Sequence, residues 1–104
     1  MIIPERFQLH GQTLTVSYDK ELSKRENLLG CASSGNNTVE LLPPSEDNPL
    51  SKVEQTFLHE LTHMILLAME ERELSNNEQF VDVFASLLHQ AITSSTGDLD
   101  IPGP

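Results

Sequence analysis

The chain lacks several features that would define other classes of protein. It has one cysteine, Cys31, in 104 residues. A lone thiol closes no internal disulfide, so a disulfide-stapled scaffold is excluded and a reducing compartment is the simplest setting. Basic residues number six against sixteen acidic ones, a formal net charge of −10. Nucleic acid is therefore not an expected partner, because a binder needs a basic face to displace counterions from phosphates. The same balance disfavours attraction to an anionic membrane. No apolar run exceeds a few residues, so no segment reads as bilayer-spanning. The opening Met1-Ile2-Ile3-Pro4-Glu5-Arg6 lacks the charged-then-apolar layout of a secretion signal. The expected location is the cytoplasm.

What is present suits one soluble globular domain. Hydrophobic residues are 38% and charged residues 21% of the chain, outside the disordered range. A domain this short has a thin core, to which a metal or partner would add stability. The charge is uneven. Residues 1–44 hold five acids and four bases, whereas residues 45–104 hold eleven acids and two bases.

Phe7-Gln8-Leu9 and Leu14 to Tyr18 alternate as strands, with Gly11-Gln12 as the expected turn. Residues 19–27 are polar and read as a loop or short helix. Leu28 to Ser33 and Thr38 to Leu42 form a second hairpin around Ser34-Gly35-Asn36-Asn37, closed by Pro43-Pro44. A helix starts near Pro49–Ser51, capped by Asn48-Pro49 or by a Ser51/Glu54 capping box. Its seam is Leu50, Val53, Phe57, Leu61, Met64 and Ala68, and it is expected to run to about Glu71. A second helix opens at Ser75-Asn76-Asn77-Glu78, with Phe80, Val83, Phe84, Leu87, Leu88 and Ala91 as its buried seam. The expected fold is α+β: a small antiparallel sheet of about four strands on two main helices, with a third short one allowed. The domain spans residues 1–92, followed by a flexible tail over 93–104.

Chemistry concentrates in the first helix, at His59-Glu60-Leu61-Thr62-His63. This is H-E-x-x-H. Residues four apart share a helix face, so both imidazoles reach one zinc ion. Glu60 lies about 100° round the helix, placed to bond a water on the metal and act as general base rather than ligand. Such a site needs a third protein ligand. The extended H-E-x-x-H-x-x-G-x-x-H motif is excluded, because Leu66 and Met69 stand where it needs glycine and histidine.

A carboxylate is therefore required, and Glu78-x-x-x-Asp82 supplies a pair on one helix face. Glu78 would ligate zinc, or else close a capping box with Ser75. Asp82 would accept the outer N–H of a ligand histidine, or else be solvated. Glu70, Glu71 and Glu73 are rival ligands, but a solvated face suits them better. His89 reads as a surface histidine, and Tyr18 and His10 as core or surface residues. Cys31 reads as a small apolar residue, since nothing nearby would activate it.

HELTH followed by EQFVDVFASLL resembles the small zincin-like metallopeptidases of bacteria and phages, similar to the repressor-cleaving peptidases of mobile elements. FQLHGQTLTVSYD, LGCAS and TVELLP look similar to short phage-encoded members. The resemblance implies a phage or prophage hydrolase of the gluzincin type. It implies His59, His63 and Glu78 as ligands of one Zn²⁺ and Glu60 as catalytic base. It also implies that one strand of the second hairpin lines the cleft; Gly30-Cys31-Ala32-Ser33 is the strand expected there, able to pair with an extended peptide, unless it is an ordinary sheet edge. The fifteen-residue step from His63 to Glu78 requires a tight turn at Leu74–Asn77.

The expected function is hydrolysis of a peptide bond in a specific cytosolic protein. The alternative is a zinc-stabilised protein-binding module without turnover, although a purely structural site has no use for Glu60. A metal-free acidic protein that mimics nucleic acid is a third reading.

Overall fold

A computed structural model describes residues 1–26 and 28–103. Asn27, at the end of the expected loop, and Pro104, at the end of the expected tail, lie outside them. Within the described residues the chain folds as α+β, with one four-stranded mixed sheet and four helices. The elements run β1 (Arg6–Leu9), β2 (Gln12–Tyr18), α1 (Leu22–Glu26), β3 (Gly30–Ser33), β4 (Thr38–Leu41), α2 (Leu50–Ala68), α3 (Arg72–Ser75) and α4 (Glu78–Ser94). Among the described residues no helix is long and apolar enough to cross a membrane.

The first hairpin turns at His10-Gly11, one residue earlier than the sequence suggested. Both residues have positive φ, 52° and 77°, which is the backbone a two-residue primed turn requires. Strand order is β1-β2-β4-β3. The expected wholly antiparallel sheet is corrected here, because β2 and β4 pair in parallel, Thr15 with Thr38 through Tyr18 with Leu41. The reason lies in α1. Leu22 is fully buried and carries the chain past the neighbouring position to the sheet edge. β4, with Val39 and Leu41 both 0% exposed, then returns into the gap. The small residues of β3 take the edge.

α2 lies across the sheet. Val53, Phe57 and Leu58 join Val39, Leu41 and Ala85 in the core, and the Phe7 and Phe57 rings meet edge to face at 5.9 Å. Neither expected cap of α2 forms. Asn48 is buried and donates to the Leu42 and Pro43 carbonyls, while Glu54 turns inward to His89. The helix ends at Ala68, short of Glu71. Glu70 adopts φ 62°, and the bonds Glu71 N–H to Leu66 C=O and Glu70 N–H to Leu67 C=O close a Schellman turn.

α4 corrects the sequence reading most sharply. Its expected seam is largely exposed: Phe80, Val83, Phe84 and Leu87 face outward. Val81, Ala85 and His89 are buried instead, with Leu88 at the core margin. The helix continues to Ser94, into the segment expected as tail.

Candidate metal centre

His59 and His63 stand one turn apart on α2, half-buried, with ring centroids 4.9 Å apart. Their Nε2 atoms are 3.2 Å apart. The Schellman turn and α3 reverse the chain so that α4 begins beside them. Glu78, its first residue, places Oε2 3.1 Å from His59 Nε2 and Oε1 3.2 Å from His63 Nε2. These three residues form a group that could hold a metal ion, with their ligand atoms all within 4.8 Å of one another. Donors bonded to tetrahedral zinc at about 2.0–2.1 Å stand about 3.3 Å apart, so the spacing fits such an ion.

The outer ring nitrogens are also held. Asp82 Oδ1 lies 2.7 Å from His59 Nδ1. A carboxylate accepts, so this contact favours a proton on Nδ1, the tautomer that would turn the Nε2 lone pair toward a bound ion. Ser75 Oγ lies 3.0 Å from His63 Nδ1 and can accept that proton in the same way. Sequence reasoning missed Ser75, having treated it as a helix cap. Asn77 does the capping instead, its Oδ1 accepting the Phe80 N–H at 3.1 Å. Glu78 is therefore not closing a capping box with Ser75.

Glu60 is half-buried beside this group. Burial raises its carboxyl above the ordinary carboxylate range. The neighbouring His59 and His63 oppose the rise, Glu78 reinforces it, and a bond from the Ala32 backbone N–H opposes it. A raised carboxyl suits a group that must take and return a proton near neutral pH.

Strand β3 forms the opposite wall of a cleft of about 600 Å³ that also includes His59, Glu60, Glu78 and Asp82. Leu29 C=O accepts from Leu42 N–H, so by antiparallel alternation Cys31 and Ser33 turn their main-chain groups toward β4. Those of Gly30 and Ala32 face the outer edge. Gly30 permits this close approach. A Cβ there would stand 2.6 Å from Thr56 Cγ2 and 3.4 Å from Glu60 Cγ, and the Thr56 rotamer is tied by its hydroxyl to Lys52 C=O at 2.8 Å.

The remaining sequence candidates fall elsewhere. His10 is in the hairpin turn and Tyr18 is exposed at the end of β2. Glu70 forms the left-handed cap of α2, and Glu71 and Glu73 are exposed. Cys31 lines the cleft. His89 is buried rather than on the surface, with Nε2 2.8 Å from Glu54 Oε1. No known protein family, curated protein or solved structure matches this chain.

Proposed function

We infer that the chain is a zinc-dependent metallopeptidase acting on a protein or peptide substrate. One observation carries this reading: two histidine Nε2 atoms and a carboxylate converge within 3.1–3.2 Å beside a half-buried glutamate that does not belong to the ligand group. Three protein ligands leave one position open on a tetrahedral ion, the pattern of catalytic rather than structural zinc sites. Bound zinc would polarise a peptide carbonyl and lower the pKa of an adjacent water.

The chain's own residues divide the remaining work. His59, His63 and Glu78 would hold the ion, with Asp82 and Ser75 orienting the two rings. Glu60 accepts the proton of the attacking water and passes it to the departing amine. The outward main-chain groups of Gly30 and the outward Ala32 carbonyl support an extended peptide as the substrate form, since they offer strand pairing along the cleft, while the Ala32 N–H is engaged by Glu60.

Incubation of the zinc-loaded chain with a mixed peptide library tests this. Hydrolysis is expected in the wild type, with a loss of about 10²–10⁴-fold in Glu60→Gln at unchanged zinc content. Equal hydrolysis by Glu60→Gln would refute the assignment of the base. Tight zinc and peptide binding with no cleavage by either protein would instead favour the binding-module alternative.

A further inference from the structure

The seam of α4 that the core leaves unused has a definite pattern. Phe80, Val83, Phe84 and Leu87 are 37%, 52%, 46% and 62% exposed, and the Phe80 and Phe84 rings stack at 6.0 Å. At 100° per residue this stripe lies roughly 170° round the helix from Glu78 and Asp82, so it is no part of the cleft. It is also nearly free of charge. From Gln79 to Gly97 the one Asp, Glu, Lys or Arg is Asp82, on the far face, in a chain of net charge −10.

The spacing along the stripe is three, one, three residues, which reads the same in both directions. We propose that this face pairs with the same face of a second copy, the two α4 helices running antiparallel about a twofold axis near Val83 and Phe84. Phe80 then lies opposite Leu87 of the partner subunit, and Val83 opposite Phe84 of the partner subunit. On the rim, Asn77 meets Gln90 of the partner subunit, polar against polar with no like charges opposed. Each side chain of the seam thus finds an apolar mate, as an isologous contact requires.

Area agrees with a modest dimer. The four side chains leave roughly 350 Å² of apolar surface open on each copy. Two such faces with their rims reach about 1,000 Å², the lower end for a specific interface. The charge of the rest of the molecule makes the proposal distinctive. Two chains of −10 repel, so screening salt strengthens an apolar contact between copies. A contact made by complementary charges would weaken instead.

Sedimentation equilibrium of the full chain, from about 1 to 500 µM, provides the test. The mass should rise from 11.6 kDa toward twice that value, and the dissociation constant should fall as sodium chloride is raised. Phe84→Asp places two charges at the twofold axis and Leu87→Glu one at each end. Each should weaken association by at least about 30-fold while circular dichroism and zinc content stay unchanged. Leu87 is the most exposed of the four, so its variant keeps the test valid if Phe84→Asp folds poorly. A monomer at every concentration overturns the proposal, whether the face is then bare or takes a partner of other sequence. A dimer that ignores both substitutions, or that weakens with salt, also overturns it.

Discussion

The histidines of HELTH are only as useful as the groups behind them. A neutral imidazole offers one lone pair, and its outer nitrogen decides which atom carries it. Asp82 sets this for His59 and Ser75 for His63. Asp82 was readable because it follows Glu78 by four residues and so shares its helix face. Ser75 was not, because its place three residues before Glu78 has a complete local explanation as a cap, and only the α3 turn brings it to His63. Gly30 was equally opaque, since its requirement comes from Thr56, twenty-six positions away in the chain. Ser75→Ala leaves His63 without its outer partner. Zinc affinity is expected to fall about 10–100-fold, read by competition with a chromophoric chelator, at nearly unchanged metal-free stability. Equal affinity in the variant would remove Ser75 from the site.

At the scale of elements, α2 and α4 meet at two polar places. One is the metal group. The other is the buried pair of His89 and Glu54, with the Met1 amino group 3.4 Å from the second Glu54 oxygen. The His89 bond, helped by that amino group and opposed by burial, holds the Glu54 carboxyl below its ordinary 4.5. Because the folded pKa is the lower one, the stabilisation is present above the unfolded value and is lost as pH falls through the folded value. Glu54→Gln should therefore be about 3 kcal/mol less stable than wild type near pH 7. The gap should narrow as pH falls below the ordinary carboxylate value and through the lower folded one, as followed by urea denaturation across pH. A gap constant with pH would mean that the pair contributes packing alone. The pair escaped sequence reading because thirty-five residues separate its members. The inward face of α4 was misjudged for a related reason: periodicity finds the apolar stripe, but the face that α4 turns to α2 carries the smaller Val81 and Ala85.

For the whole molecule, the α+β class, the two hairpins and the long helices were legible from alternation, turns and periodicity. The parallel β2–β4 pairing was not, since it depends on where α1 sends the chain. The concentration of acid in residues 45–104 has a partial explanation in the proposed site, because Glu78 belongs to the group that could hold a metal ion and Glu60 stands beside it. A bound Zn²⁺ would offset two of the excess negative charges and tie α2 to α4 across a thin core. Zinc at a hundred times its dissociation constant adds about 2.7 kcal/mol, worth roughly 10–15 °C in melting temperature for a domain of this size. The measurement that reaches the central claim most directly is native mass spectrometry of the chain after zinc loading and desalting. One zinc ion per chain is expected in wild type and in Glu60→Gln, and none in His63→Ala. A wild-type chain that emerges without zinc, or a His63→Ala chain that keeps it, would contradict the account.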